Sequence, residues 1–132
     1  MKASCIGLIP EDIILPEGRL LIAFSGGDDS LALLSLASRL ARGRCEALYV
    51  NHALRGDAEL GAEEERNRSN AALLGIPFSI IRLGKGAVEK LAERKSIGTE
   101  AAARELRYEA LERYRAEHGF DWILTAHHRD DQ

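Results

Sequence analysis

A chain of 132 residues with 45% hydrophobic content is long enough for one compact domain around a single core, and short for an enzyme that holds two substrates. Its 21 acidic residues outnumber 18 basic ones, and the net charge of -3 excludes a strongly basic nucleic-acid binder, so an RNA partner needs a local basic surface or further sequence. The two cysteines, Cys5 and Cys45, lie far apart without CxxC spacing, which argues against a zinc site or a disulfide scaffold, and both read as reduced thiols.

Residues 1–19 lack the basic segment and long apolar run of a signal peptide, and no apolar run approaches membrane-spanning length. The expectation is a cytoplasmic protein with no membrane partner. Leu20 to Phe24 is a continuous apolar run ending at Ser25-Gly26-Gly27, which suits a strand buried on both faces. Leu31, Leu34, Ala37, Leu40 and Ala41 then repeat at helical spacing, with Gly43 as a stop signal just beyond. Ala47 to Asn51 reads as a second strand, Ala58 to Leu74 as a polar helix closed by Gly75, and Pro77 to Leu83 as a third strand. A short helix around Val88 to Lys95 precedes a longer one from about Glu100 to His118, on which Ala103, Leu106, Ala110 and Tyr114 form an apolar stripe. Trp122 to Ala126 is the fourth strand.

Strands that alternate with helices imply right-handed crossovers and a doubly wound, Rossmann-like α/β domain, a parallel sheet with helices on both faces. Trp122 and the tyrosines at helical spacing are read as packing residues. No repeat or linker divides the chain. Residues 1–132 are therefore expected to form one nucleotide-binding domain, and the stop at His127-His128-Arg129-Asp130-Asp131-Gln132, directly after a core strand, is read as a truncation.

The chemistry begins at Ser25-Gly26-Gly27-Asp28-Asp29-Ser30, between a buried strand and a helix N-terminus. Free amides and the positive dipole end make such a turn an anion site. The paired glycines let the backbone approach a ligand, and Ser25 and Ser30 add hydroxyls. Asp29, in the first helical turn, repels bare phosphate unless a magnesium ion bridges the two, so Mg-ATP is the implied ligand. A tight turn capped by Asp or Ser is the competing reading. No GxxxxGK[ST] and no GxGxxG is present, so neither a Walker loop nor a dinucleotide turn is indicated.

The turn resembles the SGGxDS motif of the PP-loop ATP pyrophosphatases, which adenylate a substrate and release pyrophosphate. Three further segments resemble motifs of the lysidine synthetases within that family, in the family's order: Val50-Asn51-His52-Ala53-Leu54-Arg55, Gly98-Thr99-Glu100 through Arg104 and Arg107-Tyr108, and Leu124-Thr125-Ala126-His127-His128 through Asp130-Asp131-Gln132. The resemblance implies an adenine nucleotide alpha hydrolase-like fold. It also implies the cofactors ATP and Mg2+, and an isoleucine tRNA and free L-lysine as substrates. It places Asp29, Arg104, His127, Asp130 and Asp131 in catalysis, with Asp130 and Asp131 near the lysine and its ammonium group.

The residues themselves agree with a shared site. In an open parallel sheet ligands sit beyond the carboxyl ends of the strands, and Ser25, His52 and His127 each follow a predicted strand. His52 and Arg55 are candidate nucleotide contacts, Arg55 through a guanidinium suited to phosphate; a solvated loop is the plain alternative. Glu100, Arg104 and Arg107 fall at i, i+4 and i+7 along one side of the long helix and are candidate substrate contacts. Their plain alternative is a surface Glu100–Arg104 ion pair worth about 0.3–0.5 kcal/mol. The His127 to Asp131 cluster has the composition of a metal site, but zinc is not favoured.

Two other functions compete. A PP-loop tRNA thiolase needs cysteines near the phosphate loop, and the sequence places Cys5 before the first predicted strand and Cys45 at the far end of the second. A nucleotide-binding regulatory module fits the short acidic chain but leaves the Arg104 to Tyr108 and His127 to Gln132 motifs unexplained. The oligomeric state, a homodimer included, is left open.

Overall fold

The computed structural model describes residues 3–6, 15–25, 27–51, 57–84 and 86–126. Five strands, β1 (Ala3–Ile6), β2 (Leu20–Ala23), β3 (Cys45–Asn51), β4 (Phe78–Arg82) and β5 (Trp122–Ala126), form one sheet in the order β1-β5-β2-β3-β4. Every pairing is parallel, with Ala23 in register with both Leu48 and Thr125. Among the described residues four helices connect them: α1 (Asp28–Leu40), α2 (Asp57–Leu73), α3 (Ala87–Lys95) and α4 (Thr99–His118).

The sheet is doubly wound, as the alternation of elements implies. Alternate residues of the strands divide the core in two. Leu20, Ile22, Phe24, Ala47 and Leu124 pack with Leu33, Leu34 and Ala37 of α1 and Ala71 of α2. Leu21, Ala23, Leu48, Val50 and Ile123 pack with Ala110 and Leu111 of α4 on the opposite face. The whole of β2 is buried, which is why its sequence is a continuous apolar run rather than an alternating one. At about 1.5–3 kcal/mol per fully buried large apolar side chain, these two layers supply most of the driving force. The apolar stripe of α4 is shared: Ala110 and Tyr114 meet the sheet, while Ala103 and Leu106 pack with Val88, Leu91 and Ala92 of α3 in a small separate core.

Two expectations change. The strand Ala3–Ile6 has no counterpart among the four strands read from the sequence; it adds an edge beside β5. Cys5 accordingly lies inside a strand, in register with Thr125 near the carboxyl end of β5. It is not placed before the sheet, and the far-end objection to a thiolase holds for Cys45 alone. Cys45 starts β3, is 7% exposed, and is a free thiol. Among the described residues no helix is long and apolar enough to cross a membrane.

Candidate functional site

The turn after β2 stands where the winding of the sheet reverses. From β2 the chain moves through α1 to β3 and through α2 to β4, then crosses the other face through α3 and α4 to reach β5, on the opposite side of β2. The carboxyl ends of β2 and β5 therefore flank the crevice in which open α/β sheets hold ligands. Phe24 and Ser25 lead from β2 into that crevice, and Gly27 opens α1 with extended backbone, φ -77° and ψ 170°.

Among the described residues no side chain caps α1. Its first turn carries Asp28, exposed, and Asp29, half-buried, while Ser30 is 4% exposed. The Ser30 hydroxyl donates to the Gly27 carbonyl at 3.1 Å and lies 3.1 Å from the Ser25 hydroxyl. Ser25, exposed, can turn its O–H outward to an anion while Ser30 stays anchored. An uncapped helix end beside two hydroxyls is the arrangement an oxyanion needs.

Among the described residues no group of three or more His, Cys, Asp or Glu stands ready to hold a metal. Asp28 and Asp29, in the first turn of α1, have the donor chemistry for magnesium, which is held by one or two carboxylates together with phosphate oxygens.

Helix α4 brings its candidates to the same end of the sheet. Tyr114 reaches Glu46 and Ser79 near the amino ends of β3 and β4. One turn earlier Ala110 and Leu111 pack with Leu48 and Val50, so the preceding turns, with Arg107, Arg104 and Glu100, stand at the carboxyl ends. Glu100 and Arg104 are exposed and Arg107 is half-buried. No ion pair joins Glu100 to Arg104 among the described residues, so the plain reading of that spacing does not hold. Arg107 has no hydrogen bond or ion pair there either. Burial lowers its pKa, the nearby Arg104 charge acts the same way, and Tyr108 and Tyr49 oppose both. A half-buried guanidinium without a partner among the described residues is stabilised by an anion.

Gly26, His52, Arg55, His127, His128, Asp130 and Asp131 lie outside the described residues. The strand ends that His52 and His127 follow, Asn51 and Ala126, belong to β3 and β5, the two neighbours of β2.

Two features were absent from the sequence reading. Glu64 of α2, its side chain 13% exposed, accepts from Asn51 Nδ2 at 2.7 Å and from Arg82 Nη2 and Nε at 2.8 and 3.1 Å. It ties α2 to the last residues of β3 and β4. Hydrogen bonding from Arg82, foremost, lowers its pKa against the opposing effect of burial. Tyr108, read as a packing residue, is 37% exposed. Spacing reveals neither feature, because one pairs distant segments and the other depends on which flank of α4 is covered.

Residues 7–132 match the PP-loop domain family. The tRNA(Ile)-lysidine synthase of Bacteroides thetaiotaomicron is 40% identical over 121 residues, 92% of this chain and 27% of that protein. That of Bradyrhizobium diazoefficiens is 42% identical over 118 residues, 86% of this chain and 30% of that protein. This chain thus spans less than a third of the length of these curated relatives. Among solved structures, the U34-tRNA thiolase NcsA from Methanococcus maripaludis superposes with a TM-score of 0.67 at 18% identity, covering 88% of this chain and 40% of that one. The NH3-dependent NAD synthetase from Campylobacter jejuni gives 0.61 at 19% identity, covering 75% and 43%. At such identities these two likenesses concern the fold alone.

Proposed function

The chain belongs to the PP-loop domain family, and from that premise we propose that it is the ATP-binding part of an enzyme that ligates free lysine to the wobble cytidine of an isoleucine tRNA. In this reading the cytosine O2 attacks the α-phosphorus of ATP and pyrophosphate leaves. The ε-amine of lysine then attacks C2, AMP departs, and the amine gives up its proton. The name shared by the curated relatives supports the substrate assignment, and the motifs around Arg104 and His127 support the same branch of the family.

Each step asks this chain mainly for alignment and charge neutralisation. The amide end of α1 with Ser25 and Ser30 binds the phosphates; Gly26, Gly27 and Asp28 shape the turn. Asp29 holds magnesium, which when bound offsets phosphate charge. His52 and Arg55 contact the nucleotide, Arg104 and Arg107 the phosphates of ATP or RNA, and Glu100 the substrate beside them. His127, Asp130 and Asp131 serve the reacting centre and the lysine ammonium. The observation that carries the reading is the uncapped helix end with its serine pair at the reversal point of the sheet.

The test is pyrophosphate release by the full-length parent protein, with isoleucine tRNA, lysine and magnesium omitted in turn, followed by mass spectrometry of the wobble cytidine. A lysine-dependent mass gain there, lost in Asp29→Ala, supports the proposal. Adenylation without lysine dependence moves the protein to another PP-loop branch such as the thiolases, and no pyrophosphate release refutes it.

A further inference from the structure

The amino-terminal half of α4 has two flanks. One, with Ala102, Ala103 and Leu106, is covered by α3. The other carries Arg104, Arg107 and Tyr108 at i, i+3 and i+4, a spacing that stacks side chains on one face, and it stands at the end of the sheet where Ser25 emerges.

The three tyrosines differ in their surroundings. Tyr49 is 6% exposed, and Tyr114 donates to Glu46 and stacks on Phe120. Tyr108 is 37% exposed and makes no ring contact or hydrogen bond among the described residues. Core packing does not account for an aromatic ring placed there beside two arginines that have no partner among the described residues. An unpaired nucleotide does: its base stacks on an aromatic face, and its flanking phosphates match guanidinium forks. With a net charge of -3, this segment, further sequence aside, can meet RNA only on such a local basic strip and not by a general field.

We propose that Tyr108 is a stacking platform for an unpaired base of the RNA substrate, with Arg104 and Arg107 taking the adjacent phosphates. The proposal deepens the lysidine reading, since it rests on an RNA substrate, and commits to RNA rather than to the adenine of ATP. Because Tyr108 is only 37% exposed, the Tyr108→Phe and Tyr108→Trp variants, which keep an aromatic ring, separate stacking from loss of packing.

The experiment is fluorescence anisotropy of a labelled anticodon stem-loop oligoribonucleotide titrated with the full-length parent and with Tyr108→Ala, Tyr108→Phe and Tyr108→Trp, alongside KM for ATP. The expected result is RNA binding weakened about 10- to 100-fold in Tyr108→Ala, near-normal in the two aromatic variants, and a KM for ATP within about twofold throughout. Equal RNA affinity in all four proteins overturns the Tyr108 assignment and leaves the lysidine reading standing. A rise in KM for ATP with RNA affinity unchanged overturns it in favour of an adenine contact. Absence of RNA binding by the unsubstituted parent overturns both, whereas RNA binding without a lysine-dependent product overturns the lysidine reading alone.

Discussion

Replacing Glu64 by alanine removes two interactions of unequal worth. The bidentate contact with Arg82 looks the stronger, but the Arg82 side chain is 64% exposed, and its guanidinium is rehydrated once released. Exposed ion pairs contribute only about 0–1 kcal/mol. The contact with Asn51 has the opposite character, because Asn51 is 6% exposed and removing Glu64 takes one acceptor from its buried amide. Loss of a hydrogen-bond partner at a buried amide costs about 1–3 kcal/mol. The expected loss for Glu64→Ala is therefore about 2 kcal/mol, dominated by Asn51, which for a domain of this size lowers Tm by roughly 6–10 °C. Glu64→Gln keeps an acceptor for Asn51 and should lose less than half as much.

Thermal unfolding followed by circular dichroism measures both variants. The sign of the pH dependence follows from the lowered pKa of Glu64. Its ionic contribution is fully present above the unfolded carboxyl value of about 4.3 and is lost as pH falls through the lower folded value. The gap between the protein and Glu64→Gln should accordingly close below about pH 4. A Glu64→Ala variant within about 0.5 kcal/mol of the parent, or an Arg82→Ala variant that loses more than Glu64→Ala, refutes the ranking.

Asn67 of α2 is 1% exposed, and among the described residues neither amide atom has a hydrogen-bond partner; Asn67→Leu should raise stability by about 1 kcal/mol or more in urea unfolding. Gly18 has φ +98°, and a Cβ there meets Asp121 Oδ2 at 2.4 Å, an oxygen already accepting from the Arg19 amide at 2.8 Å. Gly18→Ala should cost about 1–3 kcal/mol in the same assay. Burial raises the pKa of Cys45, with Arg44 opposing, so little thiolate forms. Peptide mapping after iodoacetamide treatment at pH 8 should show Cys45 modified at least about tenfold more slowly in the folded protein than in urea.

The strand from Phe78 is legible in the chain although it is a half-buried edge strand, the strands from Leu20, Cys45 and Trp122 because burial writes compact apolar runs, and the turn after β2 because helix ends and glycines carry local signals. The edge strand Ala3–Ile6 is not, since a four-residue run held by pairing with β5 alone has no period of its own. Arg104 and Arg107 stand out by spacing and motif, but spacing does not show that neither has an acid partner among the described residues, nor the division of α4 between two cores that leaves Tyr108 partly exposed. The brace of Glu64, Asn51 and Arg82 joins residues 13 and 18 positions apart, beyond the reach of any local pattern.

The most direct measurement is calorimetric titration of ATP with magnesium into the protein and into a Ser25→Ala/Ser30→Ala variant. The expected result is saturable binding that requires magnesium and weakens at least about tenfold when both hydroxyls are removed. Equal affinity in the two proteins contradicts a phosphate site at the start of α1.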